Sequence, residues 1–131
     1  MDRSLGIVVP AYEPDIGRLA DYLDALHAEL APAKVRIELD DPSDATLTAV
    51  RELPASVNVV PYRRGKGAAV TAGFEALETD CYCFLDADGS TPAQWASRIV
   101  GRLDSSDLAA GSRRRPEAHV RGHQTVARRL L

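Results

Sequence analysis

Residues 81–90 read Cys-Tyr-Cys-Phe-Leu-Asp-Ala-Asp-Gly-Ser, and this stretch constrains the fold more than any other. Five apolar or aromatic residues run straight into two carboxylates. Such a run is the pattern of a strand covered on both faces, as in a parallel sheet flanked by helices. Gly89 lets the backbone turn away at once. Ser90 or Thr91 is placed to cap a helix whose first residue is Pro92. In an extended chain Asp86 and Asp88 point to the same side. Two carboxylates at the carboxyl end of a buried strand suit a hard cation, Mg²⁺ or Mn²⁺. They stand where open α/β sheets bind ligands. The same residue types also suit a solvated turn, so the stretch alone leaves both readings open.

The rest of the chain repeats the theme. Leu5 to Val9 is a β-branched run stopped by Pro10. Ile16, Leu19, Leu23, Leu26 and Leu30 have helical spacing, with Asp15 as cap and Pro32 as stop. Val35, Ile37 and Leu39 alternate with Arg36 and Glu38, giving a second strand. A helix with Leu47, Val50 and Leu53 inward leads to a third strand, Val57 to Val60. After the basic loop Arg63-Arg64-Gly65-Lys66-Gly67, a helix carries Val70, Phe74 and Leu77. The helix after Pro92 is expected to turn Trp95, Ile99 and Leu103 inward. Leu108-Ala109-Ala110 is a fifth strand, and a last helix is expected from about Gln124. Strands alternating with helices imply a parallel sheet with helices on both faces. The polar turns that follow the strands then gather at one edge of that sheet.

At 131 residues the chain is read as a single domain, 1–131, long enough for a substantial core. Charge is distributed unevenly. Residues 1–112 hold 10 Lys and Arg against 18 Asp and Glu, whereas residues 113–131 hold 6 Arg against Glu117 alone. A basic tail on an acidic body suggests an anionic partner near that end, and no nucleic-acid partner is expected. Cys81 and Cys83 are too close in sequence for an ordinary disulfide and too few for a zinc site. Buried free thiols are expected, which fits a reducing cytosol. No apolar run approaches the roughly 20 residues of a membrane span, and no signal peptide is evident. The expected location is cytoplasmic, with peripheral contact at the cytoplasmic face of the membrane. His119 and His123 are four apart, but the intervening Gly122 favours an ordinary loop pair over a metal pair.

Two phosphate-binding signatures are absent. The first turn has Pro10-Ala11-Tyr12-Glu13-Pro14 in place of a G-x-G-x-x-G loop, and Gly65-Lys66-Gly67 is not a Walker loop. Asp86-x-Asp88-Gly89 locally resembles the acid pair of haloacid-dehalogenase-type phosphatases. Those enzymes also need a downstream lysine, and none lies beyond Lys66.

Taken in order, five segments resemble something more specific. They are Ile7–Tyr12, Leu39–Ser43, Arg64–Ala69, Leu85–Pro92 and Gly111-Ser112-Arg113. Together they resemble the catalytic half of a family 2 glycosyltransferase. The likeness is strongest to polyprenyl- and dolichyl-phosphate hexose transferases, including dolichyl-phosphate glucosyltransferases, and extends to archaeal members. The resemblance implies a GT-A fold, Rossmann-like, with a mostly parallel sheet. It also implies Mg²⁺ or Mn²⁺, a UDP- or GDP-hexose donor and a lipid-phosphate acceptor.

It further implies roles. Asp86 and Asp88 fall on the family's D-x-D motif and would hold the metal, with Ala87 between them beside the donor. Pro10, Ala11, Tyr12 and Glu13 fall on one nucleotide-binding loop and Asp41 on another. Lys66 falls on the turn near the nucleotide, where it adds positive charge. Arg113 and Arg121 match the region where phosphate-acceptor members bind anions, and together with Asp88 they are the residues expected to serve the reaction itself. An arginine fork suits phosphate oxygens. The chain departs from the family pattern at Glu13-Pro14 and at Pro42. It also ends where family members continue into an acceptor-side half, so the domain is expected to be incomplete at its C-terminal side. A non-catalytic nucleotide-sugar-binding module is the alternative reading.

Overall fold

The computed structural model describes residues 3–110 and 126–129. Strand β1 (Leu5–Tyr12) leads to helix α1 (Ile16–Leu30), and β2 (Lys34–Asp40) to α2 (Asp44–Arg51). Next come β3 (Ser56–Val60), α3 (Lys66–Ala76), β4 (Cys81–Phe84) and α4 (Ala93–Gly101). Two short strands complete the sheet, β5 (Leu108–Ala110) and β6 (Val126–Arg129).

The sheet order is β3-β2-β1-β4-β6-β5. Strands β1 to β4 are parallel, and β6 runs antiparallel to both of its neighbours, β4 and β5. Strand β5 therefore points the same way as the first four. The mostly parallel sheet expected from the alternation of elements is present, with helices on both faces. The helix expected from Gln124 is not: Val126–Arg129 is a strand. Its backbone fills the gap between β4 and β5, pairing Cys83 with Ala127 on one side and Ala109 with Ala127 on the other. Pairing along both edges outweighs the local helical preference of a short segment.

One face of the sheet packs against α1, α2 and α4. Ile7, Val9, Ile37, Leu39, Cys83 and Leu85 meet Leu19, Leu23 and Leu26 of α1 there, with Val50 and Ala96. The opposite face is covered by α3 and the residues just after it, where Val8 and Tyr82 contact Phe74 and Leu77. Helix α3 lies close to the sheet because Gly73 has no side chain. A Cβ at that position would come within 2.5 Å of Val8 Cγ1.

Two local expectations are corrected. Strand β1 does not stop at Pro10. Val8 O accepts from Leu85 N, so the even-numbered residues of β1 present their backbone to β4. Pro10 lies beyond the last β1–β4 pair, Val8 with Phe84, where no N–H is owed to a neighbour. Helix α4 presents Ala93, Ala96 and Val100 inward, continued by Leu103, and not Trp95. Those four share one helical stripe, and their small members admit α1 closely. Trp95 lies on its flank, half-buried, with the Arg98 guanidinium 4.8 Å from its ring centre. Ile99 packs at the margin of the core.

Candidate functional site

Strands β1, β2 and β4 end at one edge of the sheet, and the α3 side of that edge is polar. Period-two alternation puts Arg36, Glu38 and Asp40 on the face that α3 covers. Glu38 is wholly buried. It accepts from Arg36 Nε at 2.5 Å, Asn58 Nδ2 at 2.7 Å and Arg64 Nη1 at 3.1 Å. Asp40, 3% exposed, accepts from Arg64 Nε at 2.6 Å. Its other oxygen accepts the backbone N–H groups of Arg64 at 2.7 Å and Gly65 at 3.1 Å. Burial alone would lower the Arg64 pKa, but the hydrogen bonds and charges of Asp40 and Glu38 outweigh it and raise the pKa. The guanidinium is therefore a fixed cation. This network pins the loop that enters α3, where Gly65 takes a left-handed φ of 91°.

An open cleft of about 130 Å³ lies in front of the pinned loop. Pro10, Ala11 and Tyr12 form one wall, Arg63, Gly65, Lys66 and Ala69 the other, with Asp40 and Asp86 also lining it. Tyr12 is exposed, and the Arg63 guanidinium stands 4.2 Å from its ring centre. Lys66 is the first residue of α3. Its Nζ lies 2.8 Å from Asp86 Oδ1 and 5.2 Å from the ring centre of Phe84.

Past β4 the chain turns instead of staying extended. Asp86 O accepts from Gly89 N at 3.2 Å, and Gly89 has φ 70°. Asp86 and Asp88 are thus carried on a tight turn and not on straight strand. Asp88 is exposed, and its Oδ1 accepts from Ser90 N at 2.9 Å. The residue flanking α4 is Pro92 rather than Ser90 or Thr91, and Pro92 makes no side-chain cap bond. Instead Thr91 O accepts from the hydroxyl of Tyr22 at 2.5 Å, which ties the turn to α1. Burial raises the Tyr22 pKa, helped by Cys83 and by the carboxylates of Asp86 and Asp88. The hydroxyl therefore stays protonated and donating.

The structure brings Pro10, Ala11, Tyr12, Lys66 and Asp86 together around the cleft. Glu13, Asp41, Ala87 and Asp88 are not among the residues that line it. Glu13 and Asp41 are exposed with φ of 47° and 44°, and Asp41 N donates to Val60 O. Arg113 and Arg121, like His119 and His123, lie outside the described residues. Asp40, Arg63 and Arg64 were not singled out in the sequence. Continuing the Arg36/Glu38 alternation one step would have placed Asp40 on the polar face.

A divalent cation fits the donors present. Among the described residues no three carboxylate, imidazole or thiol groups gather; Asp86 and Asp88, the acids on the turn beyond β4, are the two that could hold it. Magnesium-like ions keep several waters and take substrate phosphates, so one or two carboxylates suffice. Asp88 has an oxygen not used by the Ser90 bond, and Asp86 already accepts a cation.

The family model "Glycosyl transferase family 2" matches residues 6–127. The chain belongs to glycosyl transferase family 2. An uncharacterised glycosyltransferase of Mycobacterium tuberculosis is 43% identical over 77 residues, 58% of this chain and 34% of that protein. Protein RfbJ of Shigella flexneri is 22% identical over 112 residues, 84% of this chain and 85% of its own. A mannosyltransferase of Pyrobaculum calidifontis, solved with GDP-mannose and Mn²⁺, superposes on 98% of this chain and 45% of that one. Its TM-score is 0.74 at 19% identity. Glucosyl-3-phosphoglycerate synthase of Mycobacterium tuberculosis, solved with Mn²⁺, UDP and glucosyl-3-phosphoglycerate, has a TM-score of 0.66 at 22% identity. That match covers 82% of this chain and 43% of the synthase. The fold is therefore the GT-A arrangement. The family 2 chain described here spans about a third of the mycobacterial relative and under half of these solved enzymes. Among the described residues no helix is long and apolar enough to cross a membrane.

Proposed function

We propose that this chain binds the donor in a hexosyltransferase, taking a UDP- or GDP-hexose together with Mg²⁺ or Mn²⁺. The observation that carries this reading is the Lys66–Asp86 contact at 2.8 Å in the cleft beside Tyr12. It puts a carboxylate suited to a metal and a cation suited to phosphate at one point, where open α/β sheets hold nucleotides. The metals and nucleotides with which the mannosyltransferase and the synthase were solved support the same chemistry. Asp86 and Asp88 would hold the cation, which when bound offsets charge on the departing diphosphate. Lys66 adds positive charge beside that diphosphate. Tyr12 offers a ring on which a base can stack, with Arg63 close by. The clamped N–H groups of Arg64 and Gly65 keep the loop in place.

For the acceptor, the proposal is a polyprenyl phosphate. Its support is the arginine-rich sequence from Arg113 to Arg121, together with the family likeness. A phosphate oxyanion is already a nucleophile and needs little base catalysis. Attack on the anomeric carbon forms the new C–O bond as the bond to the diphosphate oxygen breaks, with inversion. The test offers the chain labelled UDP-glucose or GDP-mannose with Mn²⁺ and a short polyprenyl phosphate. Label in the lipid fraction is the expected result. Donor binding without transfer would favour the non-catalytic module. Changing Arg113 and Arg121 to Gln should weaken binding of the lipid phosphate and leave nucleotide affinity nearly intact. Loss of nucleotide binding instead would assign those arginines to the donor.

A further inference from the structure

We infer that Lys66 is the resident counter-cation of the metal site. It neutralises Asp86 until the donor arrives, and then gives up that carboxylate to the metal and moves to the diphosphate. The inference rests on the metal reading of Asp86 given above, and it starts from an asymmetry between the two carboxylates. Asp86 is mostly covered, its side chain 14% exposed, and is met by the ammonium at 2.8 Å. Asp88 is exposed and has no cation within ion-pair distance among the described residues. A mostly covered carboxylate is unfavourable without a cation, so the first of the two is supplied with one from within the chain.

The lysine is suited to exchange. Its backbone is anchored, because Asp40 holds the N–H groups of the two preceding residues, Arg64 and Gly65. Its four-carbon stem is flexible, and its side chain is 34% exposed. The Phe84 ring, 5.2 Å from Nζ, offers a second weak attraction on the same side. No comparable freedom exists for Arg64, which Asp40 and Glu38 fix from two directions.

A divalent ion and the Lys66 ammonium would compete for Asp86, because two cations at one carboxylate repel each other. Bound alone, the metal would weaken the lysine's contact with nothing to receive the ammonium. A diphosphate receives the lysine and contributes oxygens to the metal. Metal and nucleotide then favour each other's binding through one side chain, and the coupling is reciprocal by linkage. The ordered consequence is that free metal is held weakly until donor is present.

The experiment titrates Mn²⁺ into the full chain, following free Mn²⁺ by electron paramagnetic resonance, first without nucleotide and then with UDP or GDP. Lys66→Met and Lys66→Gln are compared with the unchanged chain, and with Lys34→Met at the exposed start of β2 as control. Without nucleotide, both Lys66 variants should bind Mn²⁺ about three- to tenfold more tightly, the range expected for losing a competing, partly exposed cation. The tightening of Mn²⁺ binding by UDP or GDP should shrink in both, and Lys34→Met should match the unchanged chain. Equal or weaker Mn²⁺ binding in the Lys66 variants would overturn the inference. The Asp86→Asn variant identifies the source of such a failure. If it leaves Mn²⁺ binding unaltered, the metal reading of Asp86 has failed and the lysine's role falls with it. If it abolishes binding while the Lys66 variants gain nothing, the metal site stands and only the exchange is refuted.

Discussion

Asp40 and Asp86 lie on either side of β1 and line the same cleft, yet they are held in opposite ways. Asp40 is almost fully buried and takes a guanidinium N–H and two backbone N–H groups. Its acceptor capacity goes to architecture, since those bonds fix the loop that opens α3. Asp86 stands on a turn, keeps some exposure and is met by a flexible ammonium. Two acids of one cleft are therefore not told apart by residue type or by position at a strand end. The partner set separates them. The acid whose partners are rigid serves the scaffold, and the acid whose partner can leave is available for a ligand.

The sharpest way to break that distinction is to remove each acid. Asp40→Ala leaves the Arg64 guanidinium without its nearest carboxylate and strands two backbone donors. It should lower stability by about 3–5 kcal/mol, as breaking a buried pair does. Asp86→Asn removes a partly exposed pair and should change stability by less than about 1 kcal/mol. Urea denaturation of both variants measures the gap, and equal losses would erase the contrast.

A smaller effect is expected at the tie between α1 and the turn that holds Asp86 and Asp88. Tyr22→Phe removes the hydroxyl bond to Thr91 O while keeping the ring that packs on Gly89. Stability should fall by about 0.5–1.5 kcal/mol, and Mn²⁺ affinity should fall with it because the turn loses an anchor. A melting curve and a Mn²⁺ titration read the two quantities separately. Lost stability with unchanged Mn²⁺ affinity would make Tyr22 a core residue only.

A further effect concerns β4, the strand that leads to Asp86. Cys81 and Cys83 are buried thiols in no disulfide, as their spacing suggested. Burial, with a lesser contribution from Cys81, pushes the Cys83 thiol up from 9.0 to about 12. The unfolded chain can ionise this thiol near its ordinary value, and the folded chain cannot until much higher pH. Its contribution to stability is therefore fully present below about pH 9 and is lost as pH rises towards about 12. Denaturation midpoints across that window should decline, and Cys83→Ala should flatten the decline. An identical slope in the variant would place the alkaline sensitivity elsewhere.

Much of the scaffold was legible because its signals are periodic. The α1 stripe from Ile16 to Leu30, the Asp15 cap and the β4 run are local patterns with one reading each, and the structure shows them. Strand β6 was not legible, because a four-residue segment rich in arginine owes its conformation to two neighbours distant in sequence. Trp95 misled for a related reason. Size suggested burial, whereas the close approach of α1 to α4 selected the alanines. In the cleft, Lys66, Tyr12 and Asp86 were readable from turn chemistry and from family likeness. The burial of Glu38 was not legible in the alternation of β2, because its partners Asn58 and Arg64 reach it from other elements. Of the adjacent acids, Asp40 ends β2 on the face that α3 covers, whereas Asp41 lies just past the strand with φ 44° and is exposed.

The central claim is that Asp86 and Asp88 make a metal-dependent nucleotide site, and calorimetry tests it most directly. UDP and GDP are titrated into the chain with Mn²⁺ and again in EDTA, with Asp88→Asn and the distant Asp104→Asn run alongside. One of the nucleotides should bind tightly only with Mn²⁺, Asp88→Asn should remove most of that dependence, and Asp104→Asn should behave like the unchanged chain. Equal nucleotide affinity in Mn²⁺ and in EDTA would contradict the claim.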